Sequence, residues 1–336
     1  MSDELTFTGE RFIPGVPGEI WYEHWHRYHF AAPVVADRDV LDIACGAGYG
    51  SALLARHAAR VVGADLSQTA IEHARARYAS VPNLEFRQAD CAALPFPDAS
   101  FDVVVSFETL EHIAAQEAFF DEVRRVLRPS GLVVLSCPNK VEYTDKRGVA
   151  NEFHVRELYR DELAALIGSR FPHSAWYGQR PSFYSVVWPE RGPARGEILE
   201  VGEASADTPS PGHSRPLYFI VVAGSAAETV AGVVPVVSVL ADRDEWIYRD
   251  YEKVTKSVDA AHRRSHLLAE QVAELQRHRN EAVRQDDGPQ AAEHARLGEQ
   301  VAAQQREIAR RASLRWWLAL PLRRLWLALT GRPPWA

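Results

Sequence analysis

From residue 39 onward, short apolar runs alternate with segments of helical character. Residues 39–45 (DVLDIAC) have the length and apolar content of a buried strand, and 48–58 (GYGSALLARHA) read as the helix after it. The pattern repeats: 60–67 (RVVGADLS) as a strand ending in an acid, and 68–80 (QTAIEHARARYAS) as a helix. Residues 83–90 (NLEFRQAD) and 101–108 (FDVVVSFE) read as strands, and 117–127 (EAFFDEVRRVL) as a helix. A turn at Arg128-Pro129-Ser130-Gly131 precedes a fifth strand at 131–139 (GLVVLSCPN). Strands and helices alternating at this spacing predict a parallel sheet with helices on both faces.

The flanks break that rhythm. The dense run Trp21 to Phe30 predicts a helix ahead of the sheet, and Phe153 to Ile167 predicts one after a polar insertion. Residues 183–188 (FYSVVW) and 216–224 (PLYFIVVAG) read as late strands with a Gly/Pro/Ser-rich loop between them. With no helix between, such strands pair antiparallel. The expected organisation is a catalytic domain over 1–224, a linker over 225–250, a helical region over 251–312 and a distinct tail over 313–336.

In the helical region Val254, Val258, Ala261, Leu268, Val272 and Leu275 recur at three-to-four-residue spacing, as do Leu297, Val301 and Ile308. That is the pattern of a coiled-coil seam, interrupted at Asp286-Asp287-Gly288-Pro289, and it predicts a homo-oligomer or a spacer. The tail, with Arg311 just before it, interleaves Trp316, Trp317, Leu318, Leu320, Leu322, Leu325, Trp326, Leu327 and Leu329 with Arg315, Arg323, Arg324 and Arg332, and has no acid. It is too short and too interrupted to span a bilayer, but it suits the surface of an anionic one. A docking helix for a partner protein, such as a glycosyltransferase, is the alternative.

Composition narrows the class. The 336 residues carry 38 Lys and Arg against 45 Asp and Glu, a net charge of −7, which gives no reason to expect nucleic acid as a partner. The three cysteines, Cys45, Cys91 and Cys137, match neither a metal-ligand spacing nor a disulfide set, so no metal is expected. The polar, acidic N-terminus has no secretory character, and the expected location is cytoplasmic, peripheral on the inner membrane through the tail.

The candidate chemistry gathers where strands end. Gly46 and Gly48 let a ligand approach the backbone between the first strand and its helix. Asp42, just before that loop, would repel a pyrophosphate but suits an ammonium, which disfavours a dinucleotide oxidoreductase. Asp65 closes the second strand, where an acid accepts from ribose hydroxyls or, alternatively, caps the next helix. Asp90-Cys91 follows the third strand, as an adenine contact or a plain turn, and Ser106-Phe107-Glu108 follows the fourth.

The stretches VLDIACGAGYG, VVGADLS, QADCAALPFPDASFDVVVSFETLEHI and LRPSGLVVLSCPN together resemble the successive motifs of class I S-adenosylmethionine-dependent methyltransferases. The resemblance covers about residues 20–224 and departs at Ala44, where many members have glycine. It implies a Rossmann-like, doubly wound α/β sheet of seven strands with an antiparallel last strand. It also implies S-adenosylmethionine contacts at Asp42, Ala44, Gly46, Gly48, Asp65, Leu66, Asp90 and Cys91, to which Phe107 is added. Arg27 and Tyr28, in the aromatic-His run, are candidate contacts from a lid.

Methyl transfer is an in-line displacement in which a neutral thioether leaves, so alignment dominates and a base is needed only if the acceptor carries a proton. His112, His154 and Glu108 are the candidates for that proton; packing or surface roles are the alternative for both histidines. The N-terminal TGERFIPG…EHWHRYHFA, the NEFHVREL insertion and the basic Trp/Leu tail resemble bacterial methyltransferases of surface-polysaccharide assembly, including O-antigen chain terminators. The acceptor expected from that resemblance is an oxygen on a glycan or sugar intermediate. A small-molecule methyltransferase of secondary metabolism and a non-enzymatic coiled-coil scaffold are the alternatives.

Overall fold

The computed structural model describes residues 19–182, 199–200, 210–211, 215–232, 238–240, 246–285 and 291–312. The chain divides into two compact units, Met1–Asp244 and Glu245–Ala336.

The first unit opens with α1 (Glu19–Ala31) and alternates β1 (Asp39–Ile43), α2 (Tyr49–Leu54), β2 (Arg60–Asp65), α3 (Gln68–Arg77), β3 (Leu84–Gln88) and β4 (Phe101–Phe107). It continues through α4 (Gln116–Val126), β5 (Leu127–Pro138), α5 (Arg160–Gly168) and β6 (His173–Gln179). Two-residue strands β7 (Leu199–Glu200) and β8 (Ser210–Pro211) pair with each other, then come β9 (Tyr218–Gly224) and α6 (Ala227–Ala231). The main sheet has seven strands in the order β3-β2-β1-β4-β5-β9-β6. β1 to β5 run parallel, and β9 is antiparallel to both its neighbours. This is the mixed sheet the sequence predicts. The strand order reverses between β1 and β4, so the carboxyl ends of those strands frame the crevice in which open α/β sheets bind ligands.

Three elements differ from expectation. The antiparallel partner of β9 is 173–179 (HSAWYGQ), a half-exposed edge strand whose polar residues hide its period; the stretch FYSVVW lies outside the described residues. The helix expected over 153–167 begins only at Arg160, because residues 153–158 are drawn onto the β4–α4 loop, where the amides of Val155 and Arg156 donate to the Glu111 carbonyl. Residues 128–131 do not end an element: β5 runs through them, and its register to β4 shifts between Phe101 and Val103.

Both faces of the sheet are sealed by apolar side chains. One cluster centres on Phe101, Phe119, Phe120 and Phe171 with Leu163 and Ile167, and the other joins Val34, Val35 and Leu54 to Val103 and Val134. A truncation such as Phe119→Ala costs about 3–5 kcal/mol in sites of this kind.

In the second unit α7 (Trp246–Gln285) and α8 (Ala291–Ala312) pack on each other. Val272 and Val301 are buried there, whereas Val254 is exposed. The basic Trp/Leu tail over 313–336 lies outside the described residues. No described helix is long and apolar enough to cross a membrane.

Candidate functional site

The loop after β1 is built from left-handed residues. Ala44, Gly46 and Gly48 have φ of 59°, 55° and 78°. Gly48 is irreplaceable on two counts: its φ, and the Phe86 ring, which lies 2.7 Å from where a Cβ would sit. At Gly50 a Cβ would fall 1.9 Å from the Tyr28 ring, so α1 and α2 meet through that missing side chain. Ala44 adopts this left-handed conformation although it is not a glycine.

Asp65 organises this loop. Its Oδ2 accepts from the Gly46 amide at 2.8 Å and its Oδ1 from the Ser67 amide at 2.8 Å. The cap of α3 is Ser67, whose side chain accepts from Ala70, so Asp65 does not serve as the N-cap. Leu66 beside it is 69% exposed, a large apolar side chain held at the sheet's edge. Asp90 is exposed and accepts from the Ala92 amide, which gives it a turn role, and Cys91 is half-buried next to it.

Asp42 is fully buried. Its Oδ2 accepts from Ser51 Oγ at 2.6 Å, and its carboxylate accepts a longer bond from Tyr28 at 3.3 Å. Burial pushes its carboxyl up to about 7, against the opposing pull of those two hydroxyls. Tyr28 is thus a partner of Asp42 beneath the loop.

On the other side of the crevice, charge is packed deep into the fold. Arg27, on α1, has no exposed surface; its Nε donates to Gln179 Oε1 at 2.7 Å and its guanidinium lies 4.3 Å from the centre of the Tyr218 ring. Its Nη1 pairs with Glu108 Oε1 at 3.4 Å. Glu108 follows β4 with a φ of 49°, and its carboxylate accepts from Ser136 Oγ at 2.7 Å. Phe107, before it, is buried edge-on against Tyr28.

His112 and His154, 42 residues apart in sequence, meet here with ring centres 5.0 Å apart. The short 3-10 turn Leu110–His112 and the segment around Phe153 bring them together. His112 Nδ1 faces the Phe153 carbonyl at 2.9 Å, and a carbonyl only accepts, so that nitrogen carries the hydrogen. His154 Nδ1 donates to Glu157 Oε1 at 2.6 Å, and its Nε2 accepts from the Asn151 amide at 3.1 Å. Tyr143 stacks on His154.

Two further acids, Glu111 and Glu157, join this group, and the pattern of the sequence singles out neither. Glu111 is fully buried, and neither of its carboxylate oxygens has a hydrogen-bond partner. Burial, reinforced by the charge of Glu108, pushes its carboxyl well above the usual range. The signals that point to them are short-range: Glu111 adjoins His112, and Glu157 stands three residues after His154. Next to this cluster Glu142, Lys146, Arg147, Arg180, Pro181 and Leu217 line an open, mainly basic cleft of about 290 Å³. Tyr143 joins the two places, stacked on His154 and next in sequence to Glu142.

Residues 41–135 match the family described as a methyltransferase domain. A probable S-adenosylmethionine-dependent methyltransferase of Mycobacterium tuberculosis is 45% identical over 166 residues, which are 48% of this chain and 60% of the relative. Residues 41–135 are an S-adenosylmethionine-dependent methyltransferase domain. A similar protein of Mycolicibacterium smegmatis is 43% identical over 48% of this chain and 63% of its own length, and the demethylmenaquinone methyltransferase of Clavibacter sepedonicus is 42% identical over 31% and 42%. This chain therefore spans about three fifths of the two mycobacterial relatives. In the methyltransferase domain the matched stretch runs from β1 through most of β5, and so contains the glycine loop, Asp65, Glu108 and His112.

Proposed function

We propose that the whole chain transfers a methyl group from S-adenosylmethionine to an oxygen of a glycan or sugar intermediate in cell-surface polysaccharide assembly. The observation that carries this reading is the adjacency of two environments. A tight loop with an organising acid lies at the carboxyl ends of β1 and β2, and a buried carboxylate–imidazole cluster lies after β4. The loop accommodates the amino-acid part of the donor, Asp65 the ribose, and Leu66, Asp90 and Cys91 the adenine. Asp42 supplies negative charge beneath the loop, opposite the donor's ammonium.

In the transfer, the acceptor hydroxyl oxygen forms a bond to the methyl carbon as the carbon–sulfur bond breaks. That bond's electrons stay on sulfur, and the products are a methyl ether and S-adenosylhomocysteine. The hydroxyl proton leaves to the cluster of Glu108, His112 and His154. The mainly basic cleft formed by the insertion and the ends of β6 and β9 favours acceptors that carry negative charge, as sugar phosphates and uronic acids do. The tail over 313–336 holds the enzyme at the anionic membrane surface on which such chains are assembled.

The test supplies donor with a labelled methyl group to glycan fractions from cells lacking the protein. The expected result is label in a base-stable ether of a sugar. Label confined to lipid-soluble small molecules would replace this acceptor.

A further inference from the structure

We infer that Glu111, His112 and His154 bind a divalent first-row metal ion. One ligand atom from each lies within 4.8 Å of the other two, and His112 Nε2 is 3.9 Å from Glu111 Oε1. Ligand bonds of about 2.1 Å place neighbouring donors about 3 Å apart, so side-chain rotation of about an ångström or two closes the set.

Three further observations point the same way. Both carboxyl oxygens of Glu111 are buried without a hydrogen-bond partner, a costly state for a polar group. The Arg27 guanidinium, paired with Glu108, is neighboured by the carboxyl groups of Glu23 and Glu111, and Glu111 is in turn neighboured by Glu157. The two imidazoles are oriented as metal ligands are. In metal sites a histidine gives its other ring hydrogen to a carboxylate or a backbone carbonyl, which fixes the ring and leaves the second nitrogen for the ion. His154 gives Nδ1–H to Glu157 and His112 gives Nδ1–H to the Phe153 carbonyl. His154 Nε2 accepts from the Asn151 amide, so an ion that takes this nitrogen has to displace that hydrogen bond.

Two imidazoles with a carboxylate suit zinc, cobalt or iron better than magnesium. Ion binding stands on these contacts alone. A role for the ion in polarising the acceptor hydroxyl rests on the transfer reading above, and with the ion bound Glu108 is the group that takes the proton.

The test uses the full chain stripped with chelator. Zn²⁺ is titrated by calorimetry and Co²⁺ by visible absorption, with S-adenosylmethionine titrated separately into the metal-free protein. The expected result is one tight equivalent of Zn²⁺ that displaces the Co²⁺ band, weakened by more than the roughly hundredfold of an outer-shell loss in Glu111→Gln and in His154→Asn. No Co²⁺ band in the wild type, or equal Zn²⁺ affinity in both folded variants, overturns the site. Because the Co²⁺ band is read on the wild type, the test survives variants that do not fold. Donor binding without metal leaves the methyltransferase reading intact even if the metal site fails.

Discussion

The two sides of the crevice solve different problems. On the proposed donor side, β1 to β3 present small residues and the acids Asp42, Asp65 and Asp90, all three of which accept hydrogen bonds, and the geometry is set by local conformation at Ala44, Gly46 and Gly48. On the acceptor side, Arg27, Glu108, Glu111, His112 and His154 come from separate segments of the chain, and Glu111 is left without a hydrogen-bond partner. On the proposed reading the donor side holds one invariant ligand. The proposed acceptor side holds a buried carboxyl without a hydrogen-bond partner beside a paired Arg27 and Glu108, an arrangement that clusters at functional sites.

If that contrast is right, the acceptor side should respond most strongly to loss of its cation. Arg27→Met leaves Glu108 and Glu111 buried without their counter-charge and should cost about 3–5 kcal/mol in urea denaturation. The loss should shrink in a Glu111→Gln background; an undiminished loss in the double variant would show that Arg27 acts only through packing and Gln179. On the donor side the largest response belongs to close packing. Gly50→Ala drives a methyl into the Tyr28 ring and should cost about 1–3 kcal/mol while weakening donor binding.

The donor side should also show its buried acid in a pH series. In the free protein Asp42 is held up to about 7, so it is largely protonated below that pH. An ammonium beside it favours the ionised form. Donor binding should therefore release a proton and weaken below pH 7, by up to about tenfold per unit. Calorimetry in two buffers reads the proton directly, and Asp42→Asn should flatten the profile. The smallest effect is expected at Ala44→Gly. Relief of the left-handed strain, about 1–2 kcal/mol, is partly offset by the entropy glycine adds to the unfolded chain, leaving a net gain below about 1 kcal/mol.

The same contrast explains which parts of the molecule are legible in its sequence. The donor side is local: VLDIACGAGYG places strand, loop and helix within a dozen residues, and Asp65 lies at the end of the next strand, so periodicity and spacing suffice. The sheet is legible up to β5 for the same reason. The acceptor side is not local. The run Trp21–Phe30 offers Arg27 as a lid contact, but nothing in it points to its partners Gln179 and Tyr218, over a hundred and fifty residues away. Edge strand β6 is hidden because alternation fails in HSAWYGQ. The helix start at Arg160 is hidden because residues 153–158 gain more from docking on Glu111 than from helical bonds.

At the centre of this account is the placement of the donor on the carboxyl edge of β1 to β3, with Asp65 as its organising acid. Calorimetric titration of S-adenosylmethionine into the full chain and into Asp65→Ala tests it most directly. One binding equivalent is expected in the wild type, with an affinity about tenfold to a hundredfold lower in the variant, the size expected for lost hydrogen bonds to a charged group. Equal affinity in the two proteins would contradict that placement.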